Sequence, residues 1–224
     1  MRSINNLLWP GEVTLFYGPP GSGKTLTTLR LCSEHKPSII INTETGDPEA
    51  RALKHTLKTL FGEVDGVKIL VARRQAELNN LLGGKSKEVG DVEGLRKIAE
   101  NPALIAVDSI TWHYAGEVKR AQPQYKAMIA QEFQGRVELW TRYLFQFNCP
   151  IIYTAQAKSR VGVALQDQPQ NGVELEFIGG NALGHIAKTW VKFQKIDDRI
   201  RLTITRGENM GEVMEFTIAE LVKL

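Results

Sequence analysis

The sequence predicts an α/β domain: a largely parallel central sheet flanked by helices and finished by a C-terminal antiparallel meander. Short apolar, β-branched runs recur at Val13 to Tyr17, Ser38 to Ile41, Val67 to Val71, Ala103 to Val107 and Pro150 to Ala155. Continuous apolar runs of that length mark strands covered on both faces. Segments with helical apolar spacing separate them, which is the alternation of a parallel sheet. Beyond Trp190 the apolar positions alternate instead, and turn clusters at Asp197-Asp198 and Gly207 to Gly211 divide the stretch into hairpin-linked strands.

Composition narrows the class. A chain of 224 residues can bury a substantial core as one domain, residues 1–224. Its 42% hydrophobic and 24% charged content argues against a disordered chain. No apolar run reaches the length of a spanning helix, and Met1 to Asn6 lacks the apolar centre of a signal peptide, so a cytoplasmic protein without membrane contact is expected. Cys32 and Cys149 lack CxxC spacing, which leaves a disulfide framework or zinc site without support. A net charge of +3 permits nucleic-acid binding without requiring it.

The first strand, Val13 to Tyr17, leads into Gly18-Pro19-Pro20-Gly21-Ser22-Gly23-Lys24-Thr25. This octet meets the phosphate-loop pattern at every fixed position, between a strand and a helix that runs to about His35. Glycines let backbone N–H groups turn inward around a β-phosphate. Lys24 bridges β- and γ-phosphates, and Thr25 offers its hydroxyl to Mg²⁺. The octet therefore predicts a nucleoside triphosphate and Mg²⁺ as ligands. The chain lacks an Asn/Thr-Lys-x-Asp guanine signature, which favours ATP.

Pro37 precedes the second strand, Ser38 to Ile41, which ends in the turn-forming cluster Asn42 to Glu49 with its carboxylates Glu44, Asp47 and Glu49. Asp47-Pro48 reads as a helix start, and Ala52, Leu53, Leu57, Leu60 and Phe61 continue that helix before the strand at Val67 to Val71. Asn79 to Gly94 is expected to be a loop. Its Gly83-Gly84-Lys85-Ser86 is no second phosphate loop, because the first glycine of the pattern would fall on Asn79. A helix is expected over Val92 to Glu100.

Ala103 to Ser109 is an apolar strand closing on Asp108, the form of a Walker B segment whose carboxylate holds the Mg²⁺ hydration shell. From Thr111 to Lys126 the chain turns polar, interleaving Trp112, His113, Tyr114, Lys119, Arg120, Tyr125 and Lys126 in what reads as a loop. That mixture suits phosphate contacts with base stacking, and equally suits a solvated face with a few anchoring aromatics. Phe133, Val137, Trp140, Leu144 and Phe147 then form one helical stripe facing the sheet.

Pro150 to Gln156 is a strand ending in an amide, which could sense a γ-phosphate by hydrogen bonding. The segment from Ala157 to Glu176, with Lys158 and Arg160, shows no convincing element; loops of that length usually carry function or are disordered. Ile178-Gly179-Gly180-Asn181 and a helix around Ala182 to Ala187 follow. Strands at Trp190 to Ile196, Arg199 to Thr205 and Glu212 to Ile218 close the chain as antiparallel edge strands.

Taken together, GPPGSGKT, INTETGDPEAR, LIAVDSITWHY, PIIYTAQ and IGGN resemble, in order and spacing, the RecA-like P-loop NTPase core. The resemblance is strongest to archaeal RadA-type recombinases and their short paralogues such as RadB, and spans Leu8 to Phe216. It implies ATP hydrolysis, with Glu44 as the carboxylate that orients the attacking water. On chemistry alone Asp47 and Glu49 stay open for that role. It further implies that Asp108 is the Walker B carboxylate and that Gln156 couples nucleotide state to a second DNA-binding loop at 157–177. The stretch from His113 to Lys126 matches the first DNA-binding loop in position.

The implied partners are single-stranded DNA, the main RadA-type recombinase and further copies of the chain, in recombination and repair. Full recombinases carry an N-terminal domain and a Phe-x-x-Ala linker, whereas only Met1 to Glu12 precedes the first strand here. The expectation is therefore a paralogue that modulates the main recombinase, with slow turnover unless a neighbouring subunit supplies a cation such as Arg199, Arg201 or Arg206. A KaiC-like regulatory ATPase with protein partners is the alternative.

Overall fold

Eight strands form one sheet in the order β3-β2-β4-β5-β1-β6-β7-β8. The computed structural model describes residues 4–44, 47–62, 65–83, 95–98, 100–157 and 180–223. In chain order the strands are β1 (Val13–Gly18), β2 (Ser38–Asn42), β3 (Val67–Val71), β4 (Leu104–Asp108), β5 (Ile151–Gln156), β6 (Thr189–Ile196), β7 (Arg199–Arg206) and β8 (Val213–Thr217). All neighbours from β3 to β6 pair in parallel, and β6-β7-β8 is the antiparallel meander.

Burial on both faces explains why the central strands are apolar throughout. Along β1, Val13, Leu15 and Tyr17 join one core and Phe16 the other. The first core is covered by α5 (Lys126–Phe145), whose Phe133, Val137, Trp140 and Leu144 are the expected stripe. The second lies beneath α1 (Lys24–Glu34) and α2 (Asp47–Phe61), through Leu29, Leu31 and Leu57. Cys32 and Cys149 are buried and free.

Four expectations are corrected. The polar stretch after β4 is not a loop: α4 (Trp112–Arg120) and a 3-10 turn at Pro123–Tyr125 run directly into α5. Two contacts to α5 hold α4, the Tyr114 ring stacked on Phe133 at 4.3 Å and a two-pronged Arg136–Glu117 ion pair. Part of the expected loop after residue 79 is instead the end of α3 (Gln75–Leu81), whose Leu78 is fully buried and whose Asn79 Oδ1 accepts from Trp140 Nε1 at 3.1 Å. Residues 84–94, with Gly84-Lys85-Ser86, lie outside the described residues. Where a helix was expected up to Glu100, the described part is a 3-10 turn, Leu95–Lys97, pinned by the Leu95 N–H donating to the Tyr143 hydroxyl.

The last strand stops at Thr217, and α7 (Ile218–Lys223) follows. Thr217 and Glu220 cap it reciprocally: the Glu220 N–H donates to Thr217 Oγ1 at 3.1 Å, and the Thr217 N–H donates to Glu220 Oε2 at 2.7 Å. The helix expected around Ala182 is α6 (Gly180–Ile186). Among the described residues, no helix is long and apolar enough to cross a membrane.

Candidate functional site

The phosphate loop joins β1 to α1 at the C-terminal edge of the parallel strands, where consecutive strand ends converge. Gly18 and Gly23 are required there by contact. A Cβ on Gly18 would lie 2.4 Å from the Phe193 carbonyl oxygen, and one on Gly23, at φ +96°, would lie 2.4 Å from Ile200 Cδ1. Pro19, Pro20, Gly21 and Ser22 make the turn between them, with Ser22 N–H donating to Pro19 O at 3.3 Å.

Lys24 opens α1 and is buried. Its ammonium donates to the carbonyls of Gly18 (2.9 Å) and Pro19 (2.8 Å) and to Ser22 Oγ (3.4 Å), so it spans the loop from within. Burial holds this lysine below the ordinary lysine range, and the charges of Asp108 and Glu44 pull it partly back.

Thr25 Oγ1 donates to Asp108 Oδ2 at 2.7 Å, and Thr154 Oγ1 from the adjacent strand β5 donates to the other oxygen. A hydroxyl and a carboxylate, both hard oxygen donors on the rim of the phosphate loop, fit Mg²⁺, which keeps several waters and takes phosphate oxygens to complete its octahedron. Thr25 and Asp108 are the residues that would hold it.

Glu44 follows β2, whose register sets Asn42 opposite Asp108 of β4. Thr43 ties these strand ends together: its N–H donates to the Asp108 carbonyl (2.9 Å), its hydroxyl donates to the Ser109 carbonyl (2.6 Å), and the Ser109 N–H donates back to that hydroxyl (3.0 Å). The Glu44 N–H donates to Asn42 Oδ1 at 3.0 Å. Its carboxylate accepts from Gln156 Nε2 at 3.2 Å. Thr43 and Thr154 are positioning residues that sequence reading missed. The one signal was a polar threonine at or near the end of each apolar strand.

These groups share a cavity of about 330 Å³ lined by Lys24, Thr25, Glu44, Asp108 and Gln156, and closed on its other side by the β6–β7 turn. The side chains of the alternative carboxylates Asp47 and Glu49 lie outside the described residues. Arg199 lines the cavity and sits 3.8 Å from Glu215, which also holds Arg201 at 2.6 Å. Arg206 does not line it; its guanidinium lies over the Trp190 ring and donates to the Gly184 carbonyl.

Lys119 and Arg120 are exposed at the end of α4, where Arg120 Nε donates to Gly116 O at 3.0 Å. Trp112 and Tyr125 are exposed beside them in sequence, whereas Tyr114 packs on Phe133 and His113 Nε2 bonds the Ala72 carbonyl. Burial of the ring holds His113 below the ordinary histidine range. Two of the four rings in that stretch, His113 and Tyr114, are thus taken up by packing. Lys158, Arg160 and nearly all of the segment at 157–177 lie outside the described residues, as do Ile178 and Gly179 of the Gly-Gly-Asn motif; Gly180 and Asn181 open α6.

No family model matches the chain. It is 23% identical over 218 residues to the DNA repair and recombination protein RadB of Methanosphaera stadtmanae, covering 94% of this chain and 86% of that protein. A crystal structure of the RadB recombinase superposes with a TM-score of 0.63 at 21% identity, covering 98% of this chain and 95% of the other. The chain has the RecA-like fold and resembles the RadA/RadB type.

Proposed function

We propose that the protein is a slow, DNA-modulated ATPase, a RadB-like recombinase paralogue that acts in recombination and repair by modulating a main RadA-type recombinase. The observation that carries this reading is the Gln156–Glu44 hydrogen bond, which links the end of the strand before the segment at 157–177 to the carboxylate beside the phosphate loop. The likeness in sequence and fold to RadB supports it.

In this reading the loop from Gly18 to Thr25 holds the β- and γ-phosphates, and Lys24 exchanges its loop carbonyls for phosphate oxygens. Thr25 and Asp108 would hold Mg²⁺, which would supply neutralising charge for those oxygens. Glu44 accepts a hydrogen bond from water and aims it at the γ-phosphorus. The new P–O bond forms as the bond to the β–γ bridging oxygen breaks, releasing ADP and inorganic phosphate. Gln156 is released from or returned to Glu44 as the γ-phosphate arrives and leaves. This shifts the root of the segment that follows it, where Lys158 and Arg160 would meet DNA phosphates with Lys119 and Arg120.

The test is ATP turnover with and without single-stranded DNA, alone and mixed with a RadA-type recombinase. Turnover that rises with either partner is expected. Exchanging Lys119 and Arg120 together for alanine should weaken DNA binding. The slope of log affinity against log salt should flatten by roughly 0.7 for each phosphate no longer neutralised. An ATPase indifferent to DNA at low salt, with no DNA bound, would overturn the DNA role in favour of a KaiC-like regulator with protein partners.

A further inference from the structure

Helix α5 carries two stripes of heptad spacing. The inner one, Phe133, Val137, Trp140 and Leu144, packs on the sheet. The outer one is Met128, Glu132, Gly135, Leu139 and Arg142, continued by Gln146 at the C-cap, in steps of four, three, four, three and four. At about 100° per residue these six positions fall within roughly 80° of one another, on the face turned away from the core. All six are exposed, and two of them are large and apolar, Met128 at 51% and Leu139 at 50%. Alternating steps of three and four are what a second helix needs to set its own side chains between them.

The order of the six residues says which helix fits. Glu132 and Arg142 lie equally far from Val137 on either side, as do Gly135 and Leu139, and Met128 and Gln146. A second copy of α5, turned antiparallel about a two-fold axis at the level of Val137, therefore sets Glu132 against Arg142 of the partner subunit, twice by symmetry. Leu139 enters the space over Gly135 of the partner subunit, where an added Cβ meets nothing within 4 Å. Met128 covers the aliphatic part of Gln146 of the partner subunit. Among the described residues, neither Glu132 nor Arg142 forms an ion pair in its own chain. A parallel pair in register would set glutamate on glutamate and arginine on arginine, which charge repulsion disfavours.

We propose that the outer face of α5 is a self-association surface on which two copies of the chain pair antiparallel as a closed two-fold dimer. Helix α5 returns from the crossover after β4 to the start of β5, so it runs against the parallel strands. The two phosphate-loop cavities then open in opposite directions. None of the six residues lines that cavity, so pairing leaves both cavities accessible, and the face is used up at two copies.

Sedimentation equilibrium of the full chain, without nucleotide or DNA, tests this. The unaltered protein should approach twice its 25.0 kDa as its concentration rises. Leu139→Glu, at an exposed helical position, should fold by circular dichroism and remain a monomer. Glu132→Arg and Arg142→Glu should each weaken the dimer by at least about tenfold, since each turns two attractions into repulsions. Mixing those two variants should restore a dimer, because every charge pair between them is again of opposite sign. An unaltered protein that stays monomeric to about 100 μM overturns the proposal. So does a dimer, or a longer series, that these substitutions leave intact. The proposal also falls if the two charge variants, folded, stay monomeric when mixed.

Discussion

Gln156 and Glu44 stand 112 residues apart in the chain, and the amide of the first donates to the carboxylate of the second across 3.2 Å. A strand-end amide thus fixes the carboxylate beside the phosphate loop, and in the proposed mechanism this one bond links ATP chemistry to the segment that follows β5. Glu44→Gln should keep ATP binding and cut turnover by about 10²–10⁴, the usual weight of a positioned carboxylate. Gln156→Ala removes one charge-assisted hydrogen bond to that carboxylate, and should lower basal turnover by about tenfold and abolish the response to DNA. Steady-state phosphate release with and without single-stranded DNA reads both; full turnover in Glu44→Gln would remove Glu44 from the mechanism.

Asp108 accepts from Thr25 and Thr154 at once, so its two oxygens are aimed before any cation arrives. Asp108→Asn keeps the shape but removes the charge, and should raise the Mg²⁺ concentration needed for half-maximal turnover by at least about tenfold. Thr154→Val should shift it less, because the Thr25 bond remains. Titrating Mg²⁺ at fixed ATP gives the order of effects, and an unshifted Asp108→Asn curve contradicts the metal role.

Burial keeps the Lys24 pKa below its ordinary value near 10.5 in the free protein. A triphosphate brought against it must raise that pKa again, since added negative charge favours the ammonium. Between the two values the free lysine has lost its proton and the bound one has regained it, so binding takes protons up, increasingly as pH climbs toward the alkaline side. Calorimetry of ATP binding in buffers of different ionisation enthalpy counts those protons. Lys24→Met should cancel the uptake, and a proton count that stays flat with pH in the unaltered protein would refute it.

Gly21 and Gly23 both sit at positive φ, +73° and +96°, yet only Gly23 meets a wall. Gly21→Ala should cost about 1–2 kcal/mol for its backbone conformation alone. Gly23→Ala adds the collision with Ile200 and should cost more, with the β6–β7 turn displaced and nucleotide binding abolished. Urea unfolding of the two variants separates the terms, and equal costs would show that Ile200 gives way freely.

The strands, the phosphate loop and the carboxylate of β4 were legible in the sequence because each depends on local information. A strand buried on both faces must be apolar throughout, and a phosphate cradle needs glycine, lysine and a hydroxyl at fixed spacing. Helix α4 was not legible: Trp112 to Arg120 is mostly polar, and what holds it helical is its contact with Phe133 and Arg136 farther along the chain. The short helix α3 was hidden similarly, with Leu78 its one fully buried leucine and Trp140 its partner. Only the tertiary structure showed which of the three C-terminal arginines lines the cavity of its own chain, since alternating strands give each a plausible face and the strand order brings Arg199 there. Sequence by itself determined that a loop with the phosphate-loop pattern stands between a strand of a parallel sheet and a helix. The packing of strands from distant parts of the chain decided what surrounds it: Thr43 tying the ends of β2 and β4, Thr154 on Asp108, Gln156 on Glu44, and Ile218 in the cavity wall. Contacts between residues so far apart leave no periodicity for a sequence to display.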